Sequence, residues 1–191
     1  MLDLDKLIFL DLETTGAKSD ENRITEIGLV EVHNGAVSHW STLVNPGIPI
    51  PEFIQGLTGI DDDMVRTAPR FASLQDELFA RLNGQLLIAH NARFDYSFLR
   101  NAFAEGGLTL ECELLCTVKL SRQLYPAEAK HNLDAITARH QLQVESRHRA
   151  LADADLLWQF WQKLRQQFPP EVLQQAADAL VVFNRHSVEK T

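Results

Sequence analysis

Four carboxylates and one histidine stand out in this chain as side chains whose types and spacing could do chemistry. Asp11 and Glu13 lie two apart in the apolar run LIFLDLETTG, residues 7–16. Strand side chains alternate faces, so both acids share a face with Phe9, while Ile8, Leu10 and Leu12 take the other. Asp95 heads a stripe with Phe98, Leu99 and Ala102 at helical spacings of three, four and seven. Asp153 heads another, with Leu156, Leu157, Phe160, Trp161 and Leu164 at three, four, seven, eight and eleven. Asp155 falls off that stripe and reads as solvated. Capping accounts for any one acid at an element end. Four that all point from element ends toward the interior call for a shared cation, because uncompensated buried carboxylates are costly.

His148 precedes Asp153 by five residues, and five helical residues rotate by about 140°, so the two cannot share a helix face. A helix that starts after the histidine leaves it on a mobile segment able to swing over a site held by Asp153. Oxygen ligation favours Mg²⁺ or Mn²⁺ over zinc. Two such ions about 4 Å apart stabilise the attacking and leaving oxygens of a phosphodiester hydrolysis. His148, titrating near neutrality, would then take the proton from the attacking water.

The elements that must position these groups follow from periodicity and punctuation. Strands are expected over 7–16, 23–33 and 36–44, the last two joined by an Asn34-Gly35 hairpin turn. The segment NPGIPIPEFIQGLTGIDDD reads as loop and short helix, with Asp61 to Asp63 capping a second short helix rather than binding metal. A helix over 68–82, a strand over 85–89, a helix over 93–105 and a strand over 113–118 come next. A turn or two near 119–124 and helices over 132–140 and 149–168 complete an α/β layer architecture around a mixed sheet. Beyond Pro169-Pro170 a last helix, 171–184, carries Val172, Leu173, Ala176, Leu180 and Phe183 near one stripe. It is either a cover for the core or the beginning of a connection.

A chain of 191 residues with 45% hydrophobic content suffices for one packed domain. No apolar run approaches the roughly 18 residues of a membrane span, and MLDLDK has acids where a signal peptide has bases. The expectation is a cytoplasmic protein with no membrane partner. Cys112 and Cys116 lack a neighbouring Cys or His cluster and read as buried free thiols. The net charge of −8, from 18 bases and 26 acids, argues at first sight against nucleic acid. Between Lys119 and Arg149, however, six bases stand against three acids, with His131, His140 and His148 interleaved. That local basic surface can meet a phosphate backbone.

The segments Asp11-Leu12-Glu13-Thr14-Thr15-Gly16, His90-Asn91-Ala92-Arg93-Phe94-Asp95 and His148-Arg149-Ala150-Leu151-Ala152-Asp153 resemble, in order and content, the three motifs of the DEDDh 3′-to-5′ exonucleases. The likeness is especially to the DnaQ-like branch, typified by the proofreading epsilon subunit of bacterial DNA polymerase III. It runs from about Ile8 to Leu164 and takes in Leu57-Thr58-Gly59-Ile60, and none of the five core positions departs from the pattern. The resemblance implies a ribonuclease H-like fold, a mixed five-stranded sheet flanked by helices. It implies Asp11, Glu13, Asp95 and Asp153 as ligands of two Mg²⁺ or Mn²⁺ ions and His148 as general base. Thr14 and Thr15 would contact the 3′-terminal nucleotide, and Phe94 and the region of Leu57 would hold its base.

The implied activity is an exonuclease domain over 1–168 that releases nucleoside 5′-monophosphates from DNA 3′ ends, single-stranded ends above all, in proofreading or repair. The implied partner is a DNA polymerase subunit. The runs CTVKLSRQLYP, HNLDAITARH and DADLLWQFWQKL are also similar to bacterial exonuclease domains fused to a GIY-YIG domain related to UvrC. On that likeness, residues 169–191 would lead into a further domain. Two other readings stay open: an exoribonuclease acting on RNA 3′ ends, and a nucleic-acid-binding module without turnover.

Overall fold

The structure, a computed structural model, describes residues 3–184. β1 (Lys6–Thr14) is the strand on which both faces of the sheet depend. β2 (Ile24–His33) and β3 (Ala36–Leu43) follow it in antiparallel succession. Asn34 and Gly35 between them both take positive φ, 49° and 83°, the backbone a two-residue hairpin requires. Two short helices, α1 (Glu52–Thr58) and α2 (Asp62–Arg66), cross the end of this meander, and α3 (Phe71–Leu82) leads back to the sheet. β4 (Leu86–Ala89), α4 (Ala92–Glu105) and β5 (Cys112–Cys116) form a crossover unit whose strands run parallel to β1. Then come α5 (Thr117–Leu124), α6 (Leu133–His140), α7 (Ala150–Gln167), α8 (Pro170–Leu180) and β6 (Val182–Asn184). The strand order is β3-β2-β1-β4-β5-β6, with β6 antiparallel to β5.

The alternation along β1 divides the core. Ile8, Leu10 and Leu12 pack with Leu78 and Leu82 of α3 and Phe98, Leu99 and Phe103 of α4. Leu7 and Phe9 pack on the opposite face with Phe160, Trp161 and Leu164 of α7 and with Leu173 and Ala176 of α8. Each such large side chain contributes roughly 1.5–3 kcal/mol on burial, so the stripes of α4 and α7 fix these helices against the sheet.

Three details depart from the sequence expectation. The sheet has six strands rather than five, because the last helix stops at Leu180 and Val182–Asn184 pairs with Cys112 to Leu114. The outer edge of β5 carries backbone groups in need of partners, and the β-forming Val181-Val182-Phe183 run satisfies them better than another helical turn. Residues 185–191 of the expected tail lie outside the described residues. α3 starts at Phe71 rather than residue 68, since Pro69 disfavours helix at Ala68. β5 ends at Cys116 because α5 begins directly after it. Asp61 does cap α2, accepting the Met64 N–H at 2.8 Å. Both cysteines are free thiols, but only Cys112 is buried; Cys116 is half-buried at the strand end. No helix among the described residues is long and apolar enough to cross a membrane.

Candidate active site

Asp11 and Glu13 share the parity of Leu7 and Phe9, so their carboxylates rise from the last turn of β1 on the α7 face. Across the strand gap, Asp11 faces Gly28 and Glu13 faces Glu26, and the register then slips, Thr14 pairing with Ile24. Thr25 is the extra residue, and a bulge of this kind bends the strand end at the site. The first turn of α7 lies directly on β2 here: a Cβ on Gly28 would sit 2.3 Å from the Ala150 carbonyl carbon and the Leu151 nitrogen. That approach delivers Asp153, in the helix start that favours an acid, beside Glu13.

Asp95 arrives from the other layer. α4 packs on the opposite face, but its first turn begins where β4 ends beside β1, after Asn91 takes a left-handed φ of 65°. The backbone amides of Leu12 and of Asp95 itself favour the charged form of the Asp95 carboxylate. It is buried, at 3% exposure, as is Asp153 at 4%.

The cluster is electrostatically loaded. Burial first, then the charges of Asp95, Asp153 and Glu13, push Asp11 well above the usual carboxylate range. Burial, followed by Asp153 and Glu26, lifts Glu13 to about 7, against the opposing pull of Arg147 and Arg149. Burial lifts Asp95 to about 8 even though its backbone hydrogen bonds oppose the shift. Nearby, burial and the Arg147 charge hold His90 down at about 4, and its Nδ1 lies 2.9 Å from the Thr117 hydroxyl.

Glu13, His148 and Asp153 each offer a ligand atom within 4.8 Å of the others. Asp153 Oδ1 is buried without a hydrogen-bond partner. Its Oδ2 accepts the His148 N–H at 3.3 Å and pairs with the Arg147 guanidinium. An orphaned carboxylate oxygen amid acids whose burial disfavours charge fits a hard divalent cation. Asp11 and Asp95 adjoin this group through the repulsions just given.

His148 does not lie on a free-swinging segment. Its φ is +60°, a conformation few side chains adopt, and both neighbours are tied: Arg147 to Asp134 at 2.8 Å and to Asp153, Arg149 to Glu26 at 2.9 Å. Ion pairs on either side hold the turn that the sequence alone leaves open. Asp155 is likewise not simply solvated. It lies 3.0 Å from His39 Nε2 and accepts from Gln159, because α7 passes over β3.

The remaining candidates are placed as follows. The Thr14 hydroxyl donates to the Gly16 carbonyl at 2.7 Å. Thr15 is 1% exposed; its hydroxyl donates to Asn22 and accepts the Arg23 N–H, and its own N–H donates to the Arg23 carbonyl at 2.8 Å. Phe94 is half-buried in the first turn of α4 and packs on Phe98 at 4.9 Å between centroids. Leu57 is 44% exposed on α1. Neighbouring Ile54 packs with Ile50, Ile60 and Leu43, and Leu43 stands in the cross-strand row Glu13–Glu26–Leu43. Leu57 therefore belongs to a lobe at the carboxylate end of the sheet, two strands from Glu13. Sequence reading passed over Glu26, Gly28 and Arg147. The available signals were a glycine, and an acid near the start of a strand whose following residues are largely apolar, where neither belongs without a close neighbour.

A mixed sheet of this order, with helices on both faces and acids gathered at the end of β1, defines a ribonuclease H-like α/β protein with a candidate cation site. Within that class the chain belongs to a family described as Exonuclease, whose model matches residues 8–159. It is 34% identical over 168 residues to the 3′-5′ exonuclease DinG of Bacillus subtilis, covering 84% of this chain and 18% of that protein. It is 39% identical over 150 residues to a PolC-type DNA polymerase III of Caldanaerobacter subterraneus, covering 78% of this chain and 11% of the relative. The chain thus spans less than a fifth of these relatives' length. Among solved structures, exonuclease X in complex with 5′-overhanging duplex DNA is 28% identical with a TM-score of 0.67, covering 90% of this chain and 98% of that one. The E. coli exonuclease I complex with single-stranded DNA shares the fold at a TM-score of 0.79 and 16% identity, over 91% of this chain and 42% of the other.

Proposed function

We propose that the chain is a divalent-metal-dependent 3′-to-5′ exonuclease that hydrolyses the terminal phosphodiester of a DNA 3′ end and releases a nucleoside 5′-monophosphate. The observation that carries this is the convergence of Glu13, His148 and Asp153 within 4.8 Å, beside Asp11 and Asp95, at one end of β1. Asp11, Glu13, Asp95 and Asp153 would hold two Mg²⁺ or Mn²⁺ ions. When bound, such ions supply the positive charge that stabilises the attacking and leaving oxygens. His148 takes the proton of the attacking water, its ring aimed by the tied turn around it. Phe94 and Leu57 flank the terminal base, and the Thr14-Thr15-Gly16 backbone forms the lip against which the 3′ nucleotide rests. DNA is favoured as the substrate because the polymerase and exonuclease relatives, and the DNA complexes of exonuclease X and exonuclease I, point the same way. The polymerase relative supports a proofreading context with a polymerase partner, and DinG an exonuclease context outside a polymerase.

The test uses DNA and RNA strands labelled at the 5′ end, with Mg²⁺ or Mn²⁺. Stepwise shortening of DNA from its 3′ end is expected, and a clear preference for RNA would overturn the substrate assignment. His148→Ala should slow turnover by roughly 10² or more while metal still binds; Asp11→Ala should remove metal binding and activity together. Ordinary turnover in the His148 variant would mean that another group is the base.

A further inference from the structure

We propose that Glu26 is a positioning residue for His148, acting through the first turn of α7; the inference rests on the reading of His148 as the base. Glu26 is an acid near the start of β2, 5% exposed and directly opposite Glu13. Like charges facing each other across an antiparallel pair destabilise it, so Glu26 requires a local counter-charge. It has one. Its carboxylate accepts from Arg149 Nη2 at 2.9 Å and Nε at 3.1 Å, and from the Ala150 N–H at 3.0 Å. Arg149 and Ala150 are the two residues directly after His148.

These bonds do what a helix cap ordinarily does. α7 has no capping side chain at Arg149, and the Ala150 N–H is one of the donors that a helix start leaves without a partner. Glu26 supplies the acceptor from another element and so fixes where α7 begins relative to β2. Gly28 enforces the same contact sterically, since its backbone lies against Ala150 and Leu151 too closely for any Cβ. With the residues after His148 pinned to β2, and Arg147 before it tied to Asp134, the left-handed backbone of His148 is over-determined by its surroundings. Glu26 bonds to Arg149 and Ala150, and meets the candidate metal group only through its charge, which helps to raise Glu13. Its effect is to hold the imidazole at a set distance from Glu13 and Asp153, and a displacement of about 1 Å at a reacting group can cost on the order of 10² in rate.

A double-mutant cycle tests this, with kcat, KM and Mg²⁺ affinity read separately. Glu26→Ala should lower kcat by roughly 10- to 100-fold with KM little changed, and Mg²⁺ affinity should not fall, because loss of the Glu26 charge only eases ionisation of Glu13. Glu26→Gln, which keeps an acceptor for the Ala150 N–H, should recover most of the loss. In a His148→Ala background, Glu26→Ala should add almost nothing, because its effect passes through the histidine. Should Glu26→Ala fail to fold, Arg149→Met runs the same cycle from the other half of the clamp. Equal losses in both backgrounds, an unchanged kcat in Glu26→Ala, or a loss of Mg²⁺ affinity would each overturn the proposal. A wild type that releases no nucleotide, or a His148→Ala variant with normal turnover, would instead sink the underlying reading of the site.

Discussion

Glu13 at about 7 and Asp95 at about 8 hold protons that a divalent cation must displace. The physical cause is burial first and mutual repulsion second, and both vanish once a cation shares the charge. Metal affinity should therefore climb as pH rises through 7 and 8, with protons released on binding. Titration calorimetry with Mg²⁺ in two buffers of different ionisation enthalpy measures that release directly. Proton release that is larger at pH 6.5 than at pH 9 is the expected outcome. Binding that is independent of pH would mean that these two carboxylates are not ligands.

At the level of elements, the site depends on how closely α7 lies on β2. Gly28→Ala places a methyl group against the Ala150 and Leu151 backbone, where no flexible side chain can yield. Overpacking of this kind costs about 1–3 kcal/mol, and the shift should be visible in urea unfolding together with a large loss of activity. Asp61→Ala offers the contrast. It removes the cap of α2, an exposed side chain that accepts the Met64 N–H, and should cost about 1 kcal/mol while activity persists.

For the whole molecule, the same carboxylates set the pH dependence of stability. A raised carboxyl keeps its proton in the folded chain after the unfolded chain has released it, so the stabilisation is full at low pH and is lost as pH rises through the folded value. His90, held down at about 4, works in the opposite direction, but only below its ordinary value of 6.5. Between pH 6.5 and about 8 the metal-free protein should lose stability steadily through Glu13 and Asp95. Mg²⁺ should restore it most at the alkaline end, by mass action on the folded state. Thermal melts in EDTA and in excess Mg²⁺ across this range provide the check. The tail contributes to the same fold: Leu173 of α8 is 2% exposed in the α7 layer, and Leu173→Ala should cost about 2–5 kcal/mol.

The sequence by itself determined the α/β class, the β1 alternation that puts Asp11 and Glu13 on one face, and the helical stripes headed by Asp95 and Asp153. These are local matters, because a period of two or of 3.6 residues decides what shares a face without reference to the rest of the chain. Only the tertiary structure decided that β5 takes a sixth strand, that Asp155 reaches His39, and that His148 is tied on both sides. It alone put Glu26 beneath Arg149, 123 residues away in the chain, and drew the three elements that carry the acids to one end of β1. Such contacts depend on which face of a helix meets which strand, and at what distance. No spacing within one segment encodes that distance; it is set by the packing of layers, where a single absent Cβ at Gly28 lets His148 and the acids meet.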